Sequence, residues 1–448
     1  MPYKGQDGSK TAHGDLVRSP TVQDFLGECE YMREPSTEQG QQVAEDYQPA
    51  PYTDELPTYV LASDGSRSDV AINDRLPSTR LGFVKISQVM ISMDMERKIS
   101  GSGRYVDPFL VAELEQQADH FPMVLPGSNV RYGAQATVAR GYRLAVHNQL
   151  SRRDPKFPDV MSLAETLLAL QGGTLQVQQC PECNEGTSEL TFSVSAMEQP
   201  CPHCQAPIFA TDYLRLDEGI TEQGDTSSTV TRAMNALEHL IFAQAMLLFK
   251  KGNLYALPRT AFVMDGPLSL NGQPARLHRH LMRLIDDVRI ELRGKGLAEP
   301  LILGLQKTGP LAEHARLMCP YIPTGSLRLV DDAYRNLHVR EVTAENFGHH
   351  THYGQEFIYK PSEDRVFVFS LPYPFREKSS QNVFVEEKIE VARYATLAQA
   401  CAFIRHFQTD LYEDALIPVA LAHRHASISF QPGGKVLELL TRQALQRS

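Results

Sequence analysis

No apolar run in the chain approaches the ~20 residues that a membrane-spanning helix needs. The opening stretch Met1-Pro2-Tyr3-Lys4-Gly5-Gln6-Asp7 has no apolar segment of the kind a signal peptide carries. The expectation is a cytoplasmic protein with no membrane partner. Positive charge is not in excess either, since 44 Lys and Arg stand against 54 Asp and Glu, a net charge of −10. A general basic coat for nucleic acid is excluded, whereas local basic patches and an acidic, metal-holding site are not. A disulfide framework is also missing. The seven cysteines are odd in number and four of them form two close pairs, which favours thiols and metal over disulfides. No internal repeat or coiled-coil heptad is visible. At 448 residues the chain is globular in composition, with roughly two to three structural units and room for a large core.

The strongest local signal is Cys180-Pro181-Glu182-Cys183, followed after seventeen residues by Cys201-Pro202-His203-Cys204. Two Cys-x-x-Cys knuckles at this separation place four thiolates tetrahedrally around one Zn²⁺, and Leu190-Thr191-Phe192-Ser193-Val194 reads as the strand of a zinc ribbon. With four cysteine ligands and no open position, the site is structural, and His203 is a bystander. A redox dithiol needs only one pair and a thioredoxin-like context, which is not present.

A second design is acidic. Tyr59-Val60-Leu61-Ala62-Ser63-Asp64-Gly65-Ser66 reads as a buried strand that ends by delivering Asp64 to an edge of the sheet. The run Thr260-Ala261-Phe262-Val263-Met264-Asp265-Gly266-Pro267-Leu268 repeats it, so two carboxylates some 200 positions apart converge. Carboxylates at strand ends suit hard divalent cations, although Asp-Gly is by itself a common turn. Between them, Thr226-Ser227-Ser228 caps a long helix running through Met234, Leu237, Ile241 and Leu248 to Lys250-Lys251-Gly252. Glu238 falls beside its apolar face, where a carboxylate either meets a cation or reaches for solvent.

The remaining elements follow in order. Residues 1–50, polar and closed by Pro49, Pro51 and Pro57, read as a mobile arm with a possible short helix at 21–26; it is a docking segment or a disordered tail. A strand at 81–91 pairs antiparallel with the first. Residues 106–170 have helical spacing at 109–115 and 163–170. Arg131, Arg140, Arg143, Arg152, Arg153 and Lys156 make this region loosely basic, as solvated helix faces or as a nucleic-acid contact. A helix at 277–293, a strand at 301–306 ending in Lys307, a hairpin of 357–360 with 365–372, a helix at 397–407 and a closing helix or turn from Pro418 complete the chain. Alternating strands and helices give an α/β core.

The ordered set of Asp64-Gly65-Ser66 after a strand, a helix carrying Glu238, Asp265-Gly266-Pro267-Leu268 after a strand, Gly304-Leu305-Gln306-Lys307-Thr308, and Leu421-Ala422-His423 resembles the NurA nucleases, over about 55–90 and 225–435. The resemblance implies a ribonuclease-H-like mixed sheet flanked by helices, with an inserted helical region and the four-cysteine zinc ribbon. It implies a Mn²⁺-dependent (or Mg²⁺-dependent) DNA-cleaving site in a homodimer that works on a HerA-type hexameric ATPase. Such a nuclease processes or degrades DNA ends in repair or antiviral defence.

Carried over by residue, Asp64, Glu238 and Asp265 become metal-binding catalytic carboxylates and His423 the catalytic histidine, with Lys307 and Ser66 on the substrate. The family tyrosine expected eight positions before the histidine is Ala415 here, which leaves Tyr412 or no tyrosine in that role. The implied organisation is an arm (1–50), a first core part (51–92), a helical insertion (93–172), the zinc ribbon (173–215) and a second core part (216–448). The competing expectation is a catalytically silent scaffold whose zinc ribbon binds nucleic acid or a partner, and an RNA substrate fits the same site residues. If Asp64 and Asp265 share cations ~4 Å apart, their carboxylates lie within about 7 Å.

Overall fold

The structure, a computed structural model, describes residues 14–29, 34–73, 75–94, 118–224, 226–339, 347–409 and 415–428. Its strands in chain order are β1 (Gln48–Pro49), β2 (Tyr59–Asn73), β3 (Leu76–Ser92), β4 (Ala118–Pro126), β5 (Glu198–Pro200), β6 (Pro207–Phe209), β7 (Thr260–Asp265), β8 (Leu301–Gln306), β9 (Ser326–Leu329), β10 (Gly354–Ser362) and β11 (Arg365–Pro372). Nine of them form one mixed sheet in the order β1-β9-β10-β11-β8-β7-β2-β3-β4. The antiparallel meander β2-β3-β4 is extended by β7 and β8, which run parallel to β2. A large mixed sheet flanked by helices is what the sequence led us to expect.

The helices used below are α1 (Thr37–Ala44), α2 (Val138–Leu150), α3 (Leu163–Ala169), α4 (Ser227–Gly252), α5 (Leu277–Gly294), α6 (Pro310–Met318), α7 (Leu397–Phe407) and α8 (Ile417–Ala426). Strand periodicity sorts them onto two faces. Leu61, Phe262 and Ile302 point into a core shared with α4, α5, α2 and α3, while Val60, Ala62, Val263 and Leu303 point into one shared with α7 and α8. Covered on both sides, β7 and β8 are buried from their first residue to their fifth, which is why both read as unbroken apolar runs. Among the described residues no helix is long and apolar enough to cross a membrane.

Several expectations are corrected. Strand β2 does not end at Asp64: it runs on to Asn73 because β3 stays paired with it beyond that point, with Asp64 opposite Ser87 and Gly65 opposite Ile86. Its parallel neighbour β7 stops, so Asp64 emerges where the sheet narrows and not where its own strand turns. The stretch expected to be helical from 106 to 170 contains β4, whose backbone completes the edge of the sheet; the helix expected at 109–115 lies outside the described residues. The last part of the expected mobile arm is folded onto the body. Ser36 and Gln39 form a capping box on α1, Gly40 packs on the Tyr321 ring, the Tyr47 hydroxyl meets that of Tyr334 at 3.1 Å, and β1 pairs with β9. Thr226 caps α4 through its backbone carbonyl, and its hydroxyl makes no cap bond.

In the ribbon, residues 190–194 are not a strand: they contribute only isolated bridges, and the hairpin is β5 with β6, flanking the second knuckle. The two knuckles are built alike. Asn184 and its counterpart Gln205 both adopt positive φ, and each donates its N–H to the carbonyl of the first cysteine of its knuckle. Glu182 N–H and His203 N–H point at the sulfurs of Cys180 and Cys201, each at 3.4 Å. The four sulfurs of Cys180, Cys183, Cys201 and Cys204 lie within 4.8 Å of one another, with Cys180–Cys204 at 3.7 Å and Cys183–Cys201 at 3.8 Å. A tetrahedron with Zn–S of about 2.3 Å has edges of about 3.8 Å, so the cluster fits Zn²⁺. The His203 ring turns away, its Nε2 3.2 Å from the Gly186 carbonyl.

Candidate active site

Strand periodicity and register assemble the site. Asp64 lies one step past the Ser63–Met264 pair, so it and Asp265 are neighbours on adjacent parallel strands and face the side covered by α8. Helix α8 packs through Val419, Ala422 and Ala426, which leaves His423 at the rim of that apolar face. From there its Nδ1 donates to Asp64 Oδ2 at 2.6 Å, while Asp64 Oδ1 accepts the Gly65 N–H at 2.8 Å. One ligating atom from each of Asp64, Asp265 and His423 falls within 4.8 Å of the others. The 7 Å expectation is met.

Glu238 reaches the same place from the opposite face of the sheet, on α4. Gly65 is the reason it can. A Cβ at this position would sit 2.8 Å from Ile86 Cδ1 and 2.9 Å from Met234 Cγ and would collide with Glu238 Oε1. The Asp-Gly pair is therefore a gap cut in the middle of a strand, through which a buried helix carboxylate reaches the Gly65 N–H beside Asp64, although Glu238 stands outside the trio of Asp64, Asp265 and His423 whose ligating atoms lie within 4.8 Å. Gly65→Ala should cost about 1–3 kcal/mol through overpacking. It should also displace Glu238; a thermal melt and a metal-dependent activity assay read the two effects separately, and unchanged values in both would contradict this role for Gly65.

The electrostatics of the cluster are unfavourable without a cation. Burial, then the charges of Asp64 and Asp265, raise the Glu238 carboxyl well above its ordinary range, against a lowering contribution from the Gly65 N–H. Asp265 is raised by burial in spite of Lys307, whose Nζ lies 2.8 Å from Oδ2. The Asp64 hydrogen bond raises His423, opposed by partial burial. A hard divalent cation answers this donor set, because carboxylate oxygens gathered against their own repulsion are what such ions bind.

These side chains line one cleft of about 560 Å³ together with Gly266, Gln306, Lys307, Ala415 and Arg424. Sequence reading missed Gln306, whose buried Oε1 has no hydrogen-bond partner although Nε2 donates to the Thr308 carbonyl at 3.1 Å. It also missed the support beneath Glu238. The adjacent His239 donates from Nε2 to the Ser269 carbonyl at 2.9 Å and accepts the Tyr353 hydroxyl on Nδ1 at 2.8 Å. The signal, a Glu-His pair inside an apolar helix, was present, but its partners are remote in sequence. Ser66, expected at the substrate, does not line the cleft: its Oγ accepts the Ile428 N–H at 3.1 Å. Tyr412 lies outside the described residues, and Ala415 does line the cleft.

His239 belongs to a set of buried, neutral histidines. Burial lowers His239 and His314 to about 4 and His278 to about 3, against an ordinary value near 6.5. Each binds a proton in the unfolded chain at a pH where the folded one does not. Stability is therefore full above about pH 6.5 and is lost as pH falls towards 4, by on the order of 3 kcal/mol for each. The raised Glu238, Asp265 and Asp217 work in the opposite sense, favouring the fold as pH falls, but burial lowers His280 and His352 as well, so the histidines outnumber the raised carboxyls. The urea midpoint should drop between pH 6.5 and 4 with net proton uptake on unfolding; a flat profile would contradict this.

No family model matches the chain, and no curated protein matches it. Among solved structures it is similar to the NurA nuclease from Sulfolobus solfataricus at 9% identity, with 98% of each chain covered and a TM-score of 0.37. It is also similar to a second NurA structure at 11% identity, with 97% of each chain covered and a TM-score of 0.30. Similarity at this level leaves function to be argued from the site.

Proposed function

We propose that the chain is a divalent-metal-dependent DNA nuclease. The observation that carries the proposal is the convergence of Asp64, Glu238 and Asp265, from three separate elements, on one cleft that also holds His423 and Lys307. Asp64, Glu238 and Asp265 would hold Mn²⁺ or Mg²⁺, which supplies a deprotonated water and charge neutralisation at the phosphate. His423, held by Asp64 and raised by it, keeps a proton to give to the departing oxygen near neutral pH. Lys307, held at the cleft by Asp265, offers a point charge to the phosphate. The four-cysteine cluster would hold a structural Zn²⁺ with separate, softer ligands.

The finer parts of this reading rest on the order of the motifs: Mn²⁺ as the preferred ion, a homodimer, and a HerA-type hexameric ATPase as partner in DNA-end processing. The purified chain should cut linear DNA when Mn²⁺ is added. Absence of cutting with Mn²⁺ and with Mg²⁺, alone and with a HerA-type partner, would overturn the proposal in favour of a silent nucleic-acid-binding scaffold.

A further inference from the structure

A second polar groove, of about 940 Å³, lies between the zinc ribbon and α5. One wall is a helical row. Arg276, immediately before α5, and Arg279 and Arg283 within it, spaced by three and four residues, line the groove at intervals of about 5 Å. Arg276 lies over the Tyr213 ring at 5.4 Å, and neither it nor Arg279 has a carboxylate partner among the described residues. Arg283 pairs with Glu377 at 3.0 Å at an exposed position. Exposed pairs of this kind contribute little and yield readily to a phosphate.

The other wall is extended chain leading into the first knuckle. Leu175 and Val177 are buried while Thr174, Gln176 and Gln178 are exposed, so hydroxyl and amide groups line one side of the segment. The walls are fixed to each other and to the body. The Tyr213 hydroxyl hydrogen-bonds His280 Nε2 at 2.9 Å, and buried Arg143 on α2 binds Glu182 of the first knuckle at 2.9 Å and Asp212 at 2.6 Å.

We infer that this groove binds the sugar-phosphate backbone of a nucleic acid, as a holding site separate from the cleavage cleft. Guanidiniums free of carboxylates, such as Arg276 and Arg279, read phosphate with fork geometry, a neutral amide wall accepts a polyanion without repelling it, and Asp287, which also lines the groove, is neutralised by its ion pair with Arg376. The inference resolves the conflict between a net charge of −10 and a polyanionic substrate, because the positive charge is local. It rests on the nuclease reading only for the identity of the polyanion. Lys250, which also lines the groove, lies about 18 Å along α4 from Glu238 and some 120° around it, so the two sites do not overlap.

The test uses the full chain and a fluorescein-labelled single-stranded DNA oligonucleotide, with fluorescence anisotropy measured without added Mn²⁺. The double variant Arg276→Glu, Arg279→Glu should bind at least tenfold more weakly, and its dependence of log K on log salt should flatten by about 2. Gln176→Glu with Gln178→Glu, on the opposite wall, should weaken binding in the same direction. Mn²⁺-dependent hydrolysis of bis-p-nitrophenyl phosphate, which needs only the cleft, should be unchanged in both variants. If the wild type fails to hydrolyse this ester while the binding results hold, the nuclease reading falls and the groove stands. Unchanged affinity and salt dependence in both double variants would overturn the groove. So would tighter wild-type binding of poly-L-glutamate than of the oligonucleotide, which would assign it to an acidic protein.

Discussion

Asp265→Asn should lower metal-dependent DNA cleavage by at least about 10³-fold, equivalent to roughly 4 kcal/mol of transition-state stabilisation. The substitution keeps a side chain that can accept the Lys307 hydrogen bond and removes only the charge. Because Asp265 is buried among like charges, which with burial raise its own carboxyl and that of Glu238, the neutral variant should be at least as stable as the wild type in the absence of metal. Added Mn²⁺ should raise the melting temperature of the wild type and leave that of Asp265→Asn unmoved. A variant that still cuts at the wild-type rate would remove Asp265 from the site, and one that cuts poorly because it has unfolded would show a lowered melt without metal.

Cys183→Ser should have the largest effect on stability. Structural Zn²⁺ supplies on the order of 10 kcal/mol or more to the segment that binds it. The ribbon does not stand apart from the body: Leu175, Phe192, Cys201 and Ile208 belong to the same buried cluster as Leu240 and Phe242 of α4. Losing the metal should therefore open residues 175–214 to hydrogen exchange and lower the melting temperature of the whole chain by several degrees. The carboxylates use other ligands, so Mn²⁺ should still bind at temperatures where the sheet is intact. Exchange confined to wild-type levels in 175–214 after substitution would contradict a zinc-dependent ribbon.

The parts of the fold that were legible in sequence are those fixed by local pattern. Strand β8 and helix α7 begin and end where the sequence places them, because an unbroken apolar run and a three-to-four spacing each carry their own length. The cysteine knuckles were legible for the same reason. Strand β4 and helix α1 were not, since their partners are β3 and Tyr321, set by tertiary packing. Asp64 shows the limit most clearly. The Asp-Gly pair singles out its carboxylate as a candidate, yet in sequence Gly65 reads only as a turn residue. The glycine is there for a helix that arrives some 170 residues later, and no local pattern records that approach. Gln306 and Tyr353 carry no local signal for the same reason.

Asp64, Glu238 and Asp265 are proposed to form one cation site. A Mn²⁺ titration followed by electron paramagnetic resonance, on the wild type and on Asp64→Asn, Asp265→Asn, tests it without recourse to substrate. The wild type should remove free Mn²⁺ signal to a stoichiometric end point, and the double variant should lose that binding while melting normally. Equal Mn²⁺ binding by the two proteins would contradict a shared cation site.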